Sequence, residues 1–451
     1  QVSHNEELMA LPFRSLTFKE LSDVTWRLAR LSRTDLPGVR QISVAKVSEA
    51  ALEQMELDTS SASISEITAM LWSMASLSVQ VDLTRFTSIS ARLATSSLTG
   101  LANLAWAVAT LGCDRPAEDL LLAFQEELLR RCTWKMQLGS GPQATAEALL
   151  TVLWSATFAG LLQERVRSAV HQFLLQEIVP QFDELGGDLL PLASTSASQE
   201  AEDPKINMDL GDRLVIYKPP GWEVDTTISP GPSSGRLLSA FLRDVLPLGS
   251  LGASHQFGFL HRLDLPSSGL ILVAKSHQAF YDLQLQLSTG TLQRDYMVLC
   301  HGWVSKQRHE IRAKVHWWKV LGLSNAPSAV LRSGRASVTF LQRLQRTQLA
   351  FSSACSLLAI RIGTGRRHQI RLHTAHVGHP VVADSQYAAK EVYRMDTRWC
   401  PRNFLHRFSL TFLGQGHEST TVLEVLPMDL RQVLWTATWR DVELELDSPL
   451  G

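Results

Sequence analysis

The stretch His261-Arg262-Leu263-Asp264-Leu265-Pro266-Ser267-Ser268-Gly269-Leu270-Ile271 sets one carboxylate beside one guanidinium, just ahead of the apolar residues 270–274. A short continuous hydrophobic run of that kind is the pattern of a buried strand. Asp264 therefore reads as a nucleophile on the lip of a core strand, entered through the aromatic, glycine-containing loop Phe257-Gly258-Phe259. An isolated R-x-D is more often a surface ion pair in a turn. A second segment is needed to decide.

That segment is Gly363-Thr364-Gly365-Arg366-Arg367-His368-Gln369-Ile370-Arg371-Leu372-His373. Together the two stretches resemble the RluA-type family of RNA pseudouridine synthases, whose signature runs H-R-L-D-x-x-T-S-G-L-x-L-x-A-K and later G-R-x-H-Q-I-R-x-H. The first segment departs from it only at Ser267, where threonine is usual and the hydroxyl is kept. The resemblance implies an α+β pseudouridine synthase fold over about 210–438, a mixed, largely antiparallel bent sheet with a central cleft. It implies that the chain isomerises uridines in RNA to pseudouridine. The runner-up is a catalytically weak RNA-binding or assembly protein that keeps the fold.

The same resemblance assigns roles. Asp264 is the catalytic carboxylate, by attack at C1′, attack at C6 or removal of the 2′ proton, and these three stay open. A carboxylate in a closed cleft needs a cation to remain ionised, and Arg371 is the expected partner, with bidentate pairing orienting it. Tyr296, in Arg294-Asp295-Tyr296-Met297-Val298, is expected on the uracil and as the late base. Arg262 would hold the space that a flipped-out uridine vacates. His261, Arg366, His368 and Gln369 complete the expected substrate contacts, with the turn at 363–366 offering N–H groups to a phosphate. Asp384, in Ala383-Asp384-Ser385-Gln386-Tyr387-Ala388, fits a structural role, because the G-D-x-x-Y-G pattern survives there without its glycines. The reaction needs no metal and no cofactor, and the histidines at 368, 373, 376 and 379 lack cysteine or carboxylate neighbours that would suggest a zinc site.

Outward from this core the chain changes character. From Leu16 to about Leu185 apolar residues recur at helical spacing and glycine and proline are sparse. Tryptophans at 26, 72, 106 and 154 sit in similar phrases, at spacings near those of helix-pair repeats. The phrase L-x-N-L-x-W-A-x-A-x-L-G at 101–112 resembles octatricopeptide-type helical repeats of organellar RNA-binding proteins. The four tryptophans are expected to be mainly core. The organisation expected is an all-α helical-repeat domain at 1–186, an exposed linker at 187–208 and a synthase domain at 209–451.

Composition is consistent with this division. From Asp209 onward 27 Lys+Arg oppose 19 Asp+Glu, while the first 208 residues carry 16 and 25. The basic half suits a polyanion, so RNA (rRNA or tRNA) is the expected partner. The acidic half argues against strong independent RNA binding and leaves a protein partner open. Five scattered cysteines without C-x-x-C suggest a reducing compartment, an organelle (chloroplast or mitochondrion) or the cytoplasm. No apolar stretch is long enough for a membrane span.

Overall fold

The computed structural model describes residues 16–31, 50, 53, 62–112, 115–135, 141–184, 202–225, 236–246, 251–317, 328–332, 334–349, 354–435, 437–439 and 444–445. Most of the expected linker and Cys113 lie outside them. The chain divides into two compact units, Gln1–Gln181 with His316–Arg335 and Phe182–Val315 with Ala336–Gly451.

The first unit is helical: α1 (Phe18–Leu31), α2 (Ile64–Leu77), α3 (Leu98–Leu111), α4 (Arg115–Thr133), α5 (Pro142–Phe158), α6 (Glu164–Phe173) and, at the division, α7 (Val179–Glu184). A tight 3₁₀ segment, Leu83–Thr95, separates α2 from α3. Local sequence starts these helices. Ser63 and Glu66 form a reciprocal capping box on α2, and Ser97 caps α3 through Gly100 N–H. Helices α1, α2, α3 and α5 pack side by side in one layer; the 3₁₀ segment and α6 pack on α4 in the other. Each helix of the first layer carries one of the four tryptophans.

The structure corrects the expectation for those tryptophans. Trp26 is exposed and Trp72, Trp106 and Trp154 are half-buried, while leucine and alanine fill the core. Trp72 and Trp106 meet at 6.2 Å between ring centroids. Trp26 and Trp72 line a groove of about 600 Å³ with Arg30, Thr68 and Asn103. Tryptophan is large and half-polar, so it fits the boundary of a helix layer better than its interior.

The second unit is built on an 11-stranded sheet. Its strands are β1 (Lys205–Asp209), β2 (Arg213–Lys218), β3 (Ser268–Ala274), β4 (Gln293–His301), β5 (Glu310–Arg312), β6 (Val338–Leu349), β7 (Ala354–Ile362), β8 (Leu405–Leu413), β9 (Ser419–Leu423), β10 (Ala437–Trp439) and β11 (Leu444–Glu445). The order is β1-β2-β3-β8-β4-β7-β6-β10, with β9 on β8 and β5 and β11 on β6. The β3–β8 pair is parallel and the other ladders are antiparallel. Residues 205–208, expected in the linker, instead form most of β1, paired to β2 from Lys205↔Tyr217 to Asp209↔Leu214. Helices α8 (Leu238–Val245), α9 (His277–Ser288), α10 (Gln369–His376), α11 (Lys390–Asp396) and α12 (Met428–Trp435) complete the unit.

Strand β3 is buried at every residue, as its apolar run 270–274 requires. Its neighbour β8 comes so close that a Cβ on Gly269 would lie 2.6 Å from Arg407 N; with φ at +130°, only glycine serves there. This contact fixes the start of β3, and hence the turn before it that carries Asp264.

Candidate active site

Asp264 opens a turn closed by Ser267 N–H donating to its carbonyl at 3.0 Å. The turn is held from below. Lys218 Nζ donates to the carbonyls of Ser267 (2.7 Å), Pro219 (3.0 Å) and Leu265 (3.3 Å), and Gly221 N–H donates to Leu265 O at 2.9 Å. Burial pushes the Lys218 amine down to about 7, while three carbonyl acceptors favour its charged form. The sequence reading gave Lys218 no such task.

Helix α10 brings the second motif to this turn. Arg371 Nη1 donates to Asp264 Oδ2 at 2.8 Å, and His368 Nε2 lies 3.7 Å from Oδ1. The rest of the Arg371 guanidinium is taken up by Asp384, with Nε to Oδ2 and Nη2 to Oδ1 both at 2.7 Å, and its plane lies 5.0 Å from the Tyr387 ring centre. Burial opposes the Arg371 charge, but hydrogen bonds and attraction from Asp384 and Asp264 raise its pKa. Burial alone would raise Asp264; His368, Arg371 and Arg262 outweigh it and leave the carboxyl below its usual range. Burial also drives His368 down to about 4, so at neutral pH the two arginines hold Asp264 ionised.

His368 begins α10 in the left-handed region, φ 53°, and its Nδ1 meets the Tyr387 hydroxyl at 2.7 Å. Gln369 differs from its expected role. Its oxygen accepts from Thr364 Oγ1 (2.7 Å) and Arg366 N–H (3.0 Å), and its nitrogen donates to Val338 O (2.9 Å) and Thr339 Oγ1 (3.0 Å). Both donors and both acceptor sites are used, so this amide fixes the 363–368 turn to β6 and has no capacity left for substrate. Arg366 is half-buried, with Nε and Nη2 each 3.3 Å from Ala336 O.

A second cluster adjoins the first. Arg407, on β8 and 1% exposed, donates Nη1 to His261 Nδ1 (2.6 Å) and Leu270 O (2.9 Å), and Nη2 to Arg262 O (3.2 Å) and the Tyr296 hydroxyl. Because arginine only donates, Nδ1 of His261 is the acceptor and its proton sits on Nε2. Burial and then Arg407 and Arg294 keep that ring neutral. Tyr296 is buried under Arg407, 4.8 Å from guanidinium carbon to ring centre. The Arg262 side chain is exposed at the lip. Sequence reasoning missed Arg407, which stands in the strand Leu405–Leu413 without a motif around it.

Among the described residues no three His, Cys, Asp or Glu side chains converge as a metal set, and no helix is long and apolar enough to cross a membrane. His373 bonds Ser337 Oγ and Ala313 O, and His379 bonds His301 O. Cys132, Cys300, Cys355 and Cys400 are buried free thiols.

The family model described as RNA pseudouridylate synthase matches residues 212–376. The chain is 32% identical over 191 residues to an uncharacterized RNA pseudouridine synthase of Aquifex aeolicus, covering 40% of this chain and 54% of the relative. It is 30% identical over 259 residues to ribosomal large subunit pseudouridine synthase D of Nitrosomonas europaea, covering 53% and 67%. A solved structure, Human RNA Pseudouridylate Synthase Domain Containing 1, overlays with a TM-score of 0.43 at 23% identity, over 56% of this chain and 94% of that one. The chain belongs to the RNA pseudouridine synthase family. It spans 54% to 65% of the length of the Aquifex aeolicus relative and two further bacterial ones.

Proposed function

We propose that this protein isomerises uridines in RNA to pseudouridine, with Asp264 acting on the sugar of a uridine turned out into the cleft. One observation carries the reading: the Asp264 carboxylate, on the turn before β3, is held by Arg371 at 2.8 Å, with His368 Nε2 3.7 Å from its other oxygen. Arg371 keeps it charged and oriented, Tyr296 packs on the detached base, and Arg262 fills the vacated stack. His368 and His261 shape the cleft walls, and Arg366 lies on the strand's path. Free base and sugar stay together, so the chain needs only to hold both and exclude water.

The functional division follows the two halves, a helical part within 1–186, a connecting stretch and the synthase part. Octatricopeptide-like helix layers, with Trp26, Trp72 and Arg30 on one groove, choose the RNA. Relatives named for the large ribosomal subunit make ribosomal RNA the first substrate to try, with tRNA next. The test is release of tritium from C5 of labelled uridine in total RNA, with pseudouridine mapping of cells with and without the protein. Conversion at discrete sites is expected. RNA binding without any conversion would instead make the protein an RNA-binding factor that kept the fold, and binding of the helical unit to another protein would make that unit a docking surface.

A further inference from the structure

Arg294 precedes Tyr296 by two residues on β4, so strand alternation puts both side chains on one face. It is 5% exposed, its Nε has no hydrogen-bond partner, and no carboxylate among the described residues pairs with it. The neighbouring acid, Asp295, belongs to the opposite face and is taken by Arg361 at 2.7 and 2.8 Å. Arg407 stands beside it, and none of its hydrogen-bond partners, His261, Leu270 O, Arg262 O and the Tyr296 hydroxyl, is a carboxylate. Two buried guanidiniums therefore share this wall without a counter-charge. Burial and Arg407 push Arg294 down to about 10, which leaves it cationic at neutral pH.

A buried, unpaired charge is strongly unfavourable, so a fold that keeps one has a use for it when an anion arrives. The structure makes room for the guanidinium: a Cβ on Gly365 would lie 3.0 Å from Arg294 Nη1. Resting on the isomerisation reading, we infer that Arg294 is a further catalytic residue, contacting the detached uracil and stabilising the negative charge it carries. When the C1′–N1 bond breaks, its electron pair leaves on N1 and spreads to O2 and O4 of the ring. C1′ is satisfied either by a bond to the Asp264 carboxylate or by loss of the 2′ proton to it. Ring electrons at C5 then form the C5–C1′ bond as the ester bond to Asp264 breaks, or as Asp264 returns its proton to C2′; the C5 proton passes to water and N1 takes one up from water, so the net change is an isomerisation and nothing external is consumed. Oriented positive charge in a water-poor cleft acts where this charge develops and costs no reorganisation. Depth selects the base over a phosphodiester, because the strand's phosphates stay near the exposed Arg262.

The test needs no turnover. Barbiturate, a planar pyrimidine ionised at neutral pH, is titrated into the full chain beside neutral uracil and inorganic phosphate. Wild type should prefer barbiturate to uracil by at least about tenfold, Arg294→Met should erase that preference, and Gly365→Ala, which crowds Nη1 at 3.0 Å and shifts the guanidinium while keeping its charge, should weaken it. Arg294→Met should also lower the rate of tritium release about 100-fold with RNA affinity unchanged. Equal binding of barbiturate and uracil by wild type, a preference that survives both variants, or Arg294-dependent binding of phosphate in its place would each overturn the inference. Near-normal tritium release by a folded Arg294→Met protein would overturn it and leave isomerisation standing; absence of tritium release by wild type on every RNA would instead overturn the reading beneath it.

Discussion

Asp384 holds Arg371 by two parallel hydrogen bonds of 2.7 Å and leaves one nitrogen, Nη1, to meet Asp264 at 2.8 Å. The clamp is thus itself clamped, which converts a flexible side chain into a fixed donor. Asp384→Asn keeps the volume but loses one acceptor's charge, so turnover should fall about 10- to 100-fold with RNA affinity nearly unchanged. Arg371→Met should be worse, because it strands two buried carboxylates and costs about 3–5 kcal/mol of stability. Urea unfolding together with tritium release separates the two effects; an Asp384→Asn protein with wild-type turnover would remove Asp384 from the machinery.

Asp264→Asn tests the centre of the proposal. The amide is isosteric, still accepts from Arg371 and lacks nucleophilicity, so conversion should drop by more than about 10⁴-fold while folding and RNA binding persist. Turnover within tenfold of wild type would assign the chemistry to another group.

The motifs at 261–269 and 365–371 were legible because their information is local: an apolar strand, a turn before it, a short helix. What the structure adds comes from contacts that no local pattern announces. Arg407 is reached from β4 and β3 only through sheet order, and its strand reads as ordinary alternation. Gln369 lies inside a recognisable motif, yet its four hydrogen bonds to Thr364, Arg366, Val338 and Thr339 appear only when β6 is beside it. The tryptophans were legible as a helical face, but periodicity gives a direction and cannot distinguish an interior from a groove. Residues 205–208 read as polar linker because their strand character is supplied by β2.

Gly269 offers a purely structural test. Its φ of +130° and the closeness of the Arg407 backbone leave no room for a methyl group. Gly269→Ala should separate β3 from β8 and cost more than about 3 kcal/mol, seen as a large drop in the urea midpoint. A change below about 1 kcal/mol would mean that the two strands can part cheaply.

Stability should fall in mild acid. Burial holds His255, His368, His373 and His406 each at about 4, against 6.5 when unfolded. Between these values the unfolded chain binds protons that the folded one does not, so unfolding gains ground as pH falls from 6.5 towards 4. Each ring contributes up to about 1.4 kcal/mol per pH unit, and the loss ends below 4, where both states are protonated. Urea unfolding at several pH values measures the slope. His406→Gln should reduce it, and a flat profile across this window would show that the rings are protonated in the fold.

The starting residue decides whether the synthase half stands alone. Trp222 Nε1 donates to Glu202 O at 3.2 Å, Lys205 bonds Glu424 at 3.3 Å and lies 4.9 Å from the Tyr217 ring, and Ile206 pairs with Ile216. A fragment of residues 202–451 keeps all of these, whereas one beginning at Met208 loses most of β1 and exposes the edge of β2. The longer fragment should unfold cooperatively and be more stable by about 2 kcal/mol. It should still release tritium from uridine in RNA, since every residue assigned to the chemistry is present, but at more sites and with weaker affinity than the whole chain. Unchanged site choice and affinity would move the helical half from RNA selection to the binding of another protein.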